Sequence, residues 1–267
     1  MSRISLRMAA FVYLGGMVAL PLGTVIHDGL QPGWSSFVAA LAQPAAWYAL
    51  KLTLITACVM AVVNAIMGTL AAYVLVRYRF PGASFVNSLI DLPFAIPTLV
   101  TGVMLAVLYH PGKNLGGWLK TMCGWQILFT PAAVVLALLF VTFPFVVRTV
   151  QPVLMELDRD QEEAARTLGA SGWTTFRRIL FPALLPGILT GTLLGFARAI
   201  GEFGSVVVVA GNVPLRSQTA AVYILGEIES QNSQGASAMS TVLFAISFAV
   251  ILAVDMFQKV REKSHVA

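Results

Sequence analysis

The chain has 267 residues, of which 58% are hydrophobic and only 11% charged; a soluble domain carries about 25% charged. With a mean hydropathy of +0.82, that excludes disorder, a collagen-like chain and a nucleic-acid-binding domain. It leaves too few charges to wet a soluble globule, so the chain reads as a polytopic membrane protein. The net charge of +5 comes from 17 basic and 12 acidic residues; in a membrane protein, where the cations sit matters more than their sum.

A span needs about 20 apolar residues to cross the hydrocarbon core. Six such stretches are predicted, at Met8–Ile26, Leu50–Val76, Ser88–Leu108, Phe129–Val147, Leu184–Ala210 and Ala236–Phe257. All must be helical, because each backbone polar group needs a partner within its own segment. The expected fold class is therefore all-α, with six transmembrane helices. The first stretch follows Arg3 and Arg7, but it is longer than a signal-peptide core and lacks a prompt small-x-small site. It is expected to be a retained span. Cys58 and Cys123 suggest no disulfide framework, and no zinc-type Cys/His spacing is present.

Twelve cations fall on one side of these spans: Arg3, Arg7, Arg77, Arg79, Arg148, Arg159, Arg166, Arg177, Arg178, Lys259, Arg261 and Lys263. Four fall on the other side, at Lys51, Lys113, Lys120 and Arg216, and Arg198 lies inside the fifth span. The asymmetry places both termini in the cytoplasm. Expected divisions are residues 1–49 (first span and periplasmic connection), 50–260 (transmembrane core, with a cytoplasmic loop at 151–183) and 261–267 (cytoplasmic tail).

The third span holds Pro93 and Pro97. Each removes an N–H donor, giving either a tolerated kink or a break whose backbone lines a path. The loop after the fourth span is the most charged part of the chain, yet it is patterned as helix. Asp160 and Glu163 fit an N-cap and its N3 partner, Ala164, Ala165 and Leu168 continue the helix, and Gly169 stops it. Ser171 can cap a second, amphipathic helix with Trp173, Phe176, Ile179 and Leu180 on its apolar side and Arg177 and Arg178 on its wet side. Pro182 and Pro186 are expected where the fifth span begins. The two loop helices either rest on the membrane surface or form a docking element, whose small Ala164 and Ala165 allow close approach to a partner.

The fifth span carries Gly187, Gly191 and Gly195, a small-xxx-small stripe suited to close helix packing, in this chain or against a second subunit. It also carries Arg198 and Glu202, four apart on one face. A charge at mid-membrane costs roughly 2.5–3.5 kcal/mol. These two residues read either as a mutual ion pair that stabilises a bend near Gly201 and Gly204, or as the lining of an aqueous route in which Arg198 attracts an anion.

The run Glu163-Ala164-Ala165, three residues, Gly169, nine residues, then Ile179-Leu180-Phe181-Pro182 resembles the EAA loop of ABC importer permeases. Phe181 stands where that family usually has Leu. The resemblance implies a coupling helix seated in a separate ATPase, with docking roles for Glu163, Ala164, Ala165, Gly169, Ile179 and Pro182. Further runs resemble the T-type permease of sulfate/thiosulfate ABC importers: Arg77 to Gly82, Asp91 to Pro97, Phe145 to Pro152, and Gly201-Glu202-Phe203-Gly204 followed by Ala210-Gly211-Asn212. Molybdate permeases share the Gly-Glu-Phe-Gly element. The likeness covers most of the chain from about Leu50 onward and implies a type I importer permease in the bacterial inner membrane.

The implied partners are an ATPase dimer that binds the ATP and Mg, a W-type permease or a second copy of this chain, a periplasmic sulfate/thiosulfate-binding protein, and membrane lipid, with no nucleic acid. No cofactor or metal is expected in the chain itself. It has no G-x-x-x-x-G-K-[ST] and no H-E-x-x-H, so no ATP hydrolysis or other enzyme activity of its own is expected. The competing class is a stand-alone secondary transporter, which would need inverted repeats and relay charges in several spans.

Overall fold

The computed structural model describes residues 3–31 and 33–266. Helix α1 (Arg3–Leu14) passes through a π turn (Gly15–Ala19) into α2 (Leu20–Leu30), and α3 (Trp34–Ala42) follows. Next come α4 (Pro44–Arg77), α5 (Ala83–Ala95), α6 (Thr98–Leu108), α7 (Asn114–Cys123) and α8 (Pro131–Glu156). The second half holds α9 (Arg159–Thr167), α10 (Gly172–Thr175), a second π turn (Phe176–Leu180), α11 (Phe181–Ile200), α12 (Gly204–Ala210), α13 (Ala220–Glu229) and α14 (Ser233–Val266). The described residues contain no strand, so the expected all-α class holds.

Five helical stretches are long and apolar enough to cross a membrane, and a bent pair makes up to six. They do not share burial equally. None of the apolar stretch of the Arg7–Leu30 helix is buried, against 56% for α8. Helix α8 is the hub, with α4 and α11 laid against it through small residues. A Cβ at Gly68 would come within 2.8 Å of Val146, and one at Gly187 would come within 2.8 Å of the Thr149 carbonyl. At Gly191 it would overlap the Thr149 hydroxyl and sit 2.7 Å from the Val146 Cα. The Gly187, Gly191, Gly195 stripe therefore packs within the chain, against α8. Asn64 adds a polar rivet between α4 and α8, donating to Thr142 Oγ1 at 2.9 Å and to the Leu139 carbonyl at 3.2 Å.

Two predicted spans need correction. The third is not one straight helix, because α5 and α6 meet at an angle of 112°. Pro93 stays inside α5, and the break falls at Ile96, which is extended (φ −83°, ψ 130°) in front of Pro97. Proline disfavours the helical region for the residue before it, and that preference makes the corner. The fifth span begins earlier than predicted and does not run unbroken to Ala210. It is helical from Gly172 to Ile200, stops at Gly201 to Phe203, and restarts as α12. Pro182 and Pro186 do not mark its beginning. The π turn ahead of Pro182 widens the register (the Phe181 N–H donates to the Phe176 carbonyl), which lets the helix pass a residue without an N–H. The amphipathic segment is thus the extension of this span beyond the bundle, not a separate surface helix.

The two broken spans meet. A Cβ on Gly204 would overlap Thr98 Oγ1, and one on Gly102 would come within 2.7 Å of the Ser205 carbonyl. Helices α6 and α12 therefore pack backbone to backbone just beyond the two breaks.

Candidate functional site

Helix α9 hangs between the ends of α8 and of the Gly172–Ile200 helix. Its N-cap is Asp158, not Asp160: the Asp158 carboxylate accepts from the Asp160 N–H at 3.1 Å, and Asp160 and Glu162 fill the first turn. Carboxylates there satisfy free N–H groups and face the positive end of the helix dipole. At the other end Gly169 has φ +83°. Its N–H donates to the Arg166 carbonyl at 2.9 Å, and the Ala170 N–H reaches back to Ala165 at 3.0 Å. This is the paired-bond glycine stop that reverses a helix sharply. Ser171 caps the next helix, its hydroxyl accepting from the Thr174 N–H at 3.2 Å.

Of the predicted docking residues, Glu163, Ala164 and Ala165 lie on α9 and Gly169 at its stop, whereas Ile179 lies in the second π turn and Pro182 at the start of α11. Glu163, Ala164 and Gly169 are exposed, Ala165 and Ile179 are half-buried, and Pro182 is exposed. Leu168 is 88% exposed and Trp173 69% exposed, so the tip carries bare apolar surface. Glu162, next to Glu163, points the other way. Its carboxylate lies 2.7 Å from the Arg77 guanidinium, with only 8% of the arginine side chain and 9% of the glutamate exposed. Arg77 also donates to the Leu157 carbonyl at 3.3 Å, and Arg159 donates to the Val76 carbonyl at 3.1 Å. Helix α9 is thus bolted to the end of α4 as well as tethered to α8 and α10. Sequence reasoning counted Arg77 as a topological charge and as the start of the Arg77 to Gly82 run, without a partner; the consecutive Glu162 and Glu163 were the available signal that one acid could face inward.

A second constellation sits at the break in the fifth span. Arg198 and Glu202 form an ion pair at 2.7 Å, with 37% of the arginine side chain exposed and 1% of the glutamate. The other Glu202 oxygen accepts from both the N–H and the hydroxyl of buried Ser205, each at 2.9 Å. One carboxylate therefore holds the last turn of α11 and caps the first turn of α12. The arginine keeps an open side.

A third constellation was missed. Arg148 of α8 is held by α5: Nε and one terminal nitrogen grip the two Asp91 carboxylate oxygens at 2.6 Å each. The other contacts are Asn87 Oδ1 at 2.8 Å, Gln151 Oε1 at 2.6 Å and the Asn87 carbonyl at 2.7 Å. Bidentate charge-assisted pairs of this kind are among the strongest hydrogen bonds proteins make. The signal was the recurrence of Asn87, Asp91 and Phe94 on one helical face, opposite Phe145, Arg148 and Gln151.

Residues 64–264 match the family described as binding-protein-dependent transport system inner membrane component. The chain is 43% identical over 94% of its length, and 88% of the relative's, to a probable sulfate transport system permease protein cysT of Nephroselmis olivacea. It is 36% identical to the sulfate transport system permease protein CysT of Escherichia coli, over 91% of this chain and 87% of that one. Among solved structures, a bacterial ABC transporter involved in import of the acidic polysaccharide alginate matches with a TM-score of 0.73 at 14% identity, covering 96% of this chain and 94% of that one. The MetNI methionine ABC transporter matches at 0.56 and 17% identity, over 84% of this chain and 97% of that one; both likenesses concern the fold. The chain belongs to the binding-protein-dependent transport system inner membrane component family, and within it to the CysT sulfate permeases.

Proposed function

We propose that this chain is the membrane-spanning permease subunit of an ATP-driven importer of sulfate, with thiosulfate as a second substrate, in the bacterial inner membrane. The observation that carries the reading is the projecting α9, with its bare apolar tip, in a chain belonging to the sulfate permeases. Leu168 and Trp173 lie at the end of the bundle that the cation asymmetry assigns to the cytoplasm. Apolar side chains there need a protein partner, and a stand-alone carrier has no use for them. The partner is a separate ATPase, in two copies, which binds the ATP and Mg. A W-type permease completes the membrane domain, and a periplasmic sulfate/thiosulfate-binding protein delivers the anion from the opposite face.

The anchoring of α9 explains how force would pass. When the ATPase dimer closes, it moves α9. Because Glu162 and Arg159 hold α9 to α4, the pull reaches α4 together with α8 and α11, the three helices packed most closely through Gly68 and Gly191. They would rock as one block and exchange inward-facing for outward-facing access. Energy input is required: moving a dianion inward against an interior-negative potential of 100 mV costs about 4.6 kcal/mol, at about 2.3 per charge. Arg198, with its open side, is the mid-span group suited to receive the anion.

The test is reconstitution of the chain with its ATPase, permease partner and binding protein, followed by ATPase assays with sulfate, thiosulfate and molybdate. Stimulation by sulfate and thiosulfate supports the reading. Stimulation by molybdate alone would move the chain to the other oxyanion class sharing Gly201-Glu202-Phe203-Gly204, and no stimulation by any anion would overturn the assignment.

A further inference from the structure

The Arg148 cluster lies inside the bundle, yet it is not sealed. Asp91 is eight residues into α5 and Arg148 eight residues from the end of α8, which puts both about 12 Å in from the α9 end of the bundle. At that depth 51% of the Asp91 side chain and 29% of the Arg148 side chain remain exposed. A charge open to its surroundings inside a span faces water or protein rather than lipid tails, because the hydrocarbon cost is too high. The sealed Arg77–Glu162 pair shows what a purely structural ion pair looks like in this molecule.

A guanidinium has five N–H donors, and Arg148 uses all five, on Asp91 (twice), Asn87 (twice) and Gln151. No donor is left for a ligand. The most exposed acceptor, Asp91, is itself a planar anion gripped bidentately, the geometry an arginine offers to a tetrahedral oxyanion. Arg198 differs. Its carboxylate is 1% exposed and committed to Ser205, so that partner stays in place and any anion must use the arginine's open side.

The two arginines also lie on one track. Gly195 faces Thr142 and Phe145, and Arg198 is the next residue on that face of α11. Phe145 stacks edge-on against Phe94, with ring centroids 5.2 Å apart, and each ring lies one turn from Arg148 or Asp91. Going toward α9, the order is Arg198 with Glu202, then the Phe94–Phe145 pair, then Arg148 with Asp91.

We propose that Arg148 is a second binding station for the transported divalent oxyanion, on the α9 side of the aromatic pair, and that Asp91 is a tethered competitor occupying it when the anion is absent. The anion displaces Asp91 from two of the five donors. The return of Asp91 expels the anion toward the α9 end and resets the station. The station rests on the reading of the chain as an oxyanion permease.

The experiment measures equilibrium binding of radiolabelled sulfate to the full transporter complex in lipid nanodiscs, without the binding protein. Asp91→Asn removes the competing charge and should tighten binding about tenfold, as loss of one charge-assisted pair implies. Asn87→Asp adds a second competitor and should weaken binding, an opposite sign that does not depend on how Asp91→Asn folds. Asp91→Asn combined with Arg148→Gln should lose the gain. The proposal is overturned if both single variants bind like wild type, if they shift affinity in the same direction, or if the gain survives in the double variant. A wild-type complex that neither imports nor binds sulfate would instead defeat the functional reading itself.

Discussion

The ion pair that holds α9 and the ion pair at the break in the fifth span use the same chemistry for different ends. In Arg77–Glu162 both partners are almost wholly enclosed. In Arg198–Glu202 the glutamate is enclosed and more than a third of the arginine side chain is open. Enclosing both charges forfeits their hydration and makes each depend on the other. That suits a rigid joint between two helices. Enclosing only the acid fixes it as a clamp between two helices and leaves the cation available to something mobile. Symmetry of burial, more than the presence of a pair, separates these two joints.

Substitutions can break this contrast, and we rank them by expected loss of stability. Arg77→Ala leaves Glu162 charged and enclosed, and we predict a loss of about 3–5 kcal/mol, read as a large fall in thermal midpoint of the purified protein. An unchanged midpoint would mean that α9 is not fastened there. Glu202→Ala removes the cap on Ser205 and the partner of an arginine that can still be hydrated, so about 1–3 kcal/mol is expected. A cost as large as that of Arg77→Ala would erase the distinction between the two joints.

Gly169→Ala places a side chain at φ +83° with open space around it. Backbone strain alone should cost about 1–2 kcal/mol; co-purification of the ATPase should fall while all spans stay inserted. Leu168→Ala should change stability by less than about 0.5 kcal/mol, as surface changes do, yet reduce ATPase capture. A variant that captured the ATPase as well as wild type would remove Leu168 from the docking surface.

The parts of this arrangement differed in how legible they were. The Arg198–Glu202 pair could be read because its members are only four apart in the chain, and they meet although Glu202 lies in the break just past the end of α11. The stop at Gly169 and the cap at Ser171 could be read for the same local reason. The cap of α9 was placed two residues late, since Asp158 and Asp160 both offer the right side chain and only the chain path chooses between them. Hydropathy located the third apolar stretch but not its corner, because it measures apolarity and carries no information on direction; at Ile96, set in front of Pro97, the chain bends by 112° between α5 and α6. Arg77 with Glu162 and Arg148 with Asp91 lie far apart in the chain, so only the packing of α4, α5 and α8 brings them together.

The meeting of Gly102 and Gly204 with the opposing backbones carries a consequence for how such a chain can diverge. Neither corner has slack for even one added methyl group, since Thr98 and Ser205 already fill the space. A larger residue at position 204 is tolerable only if position 98 shrinks in the same lineage, and a bulkier residue at 102 needs α12 to retreat. The two half-helices should accordingly have a shared mutational history, changing in matched steps or not at all.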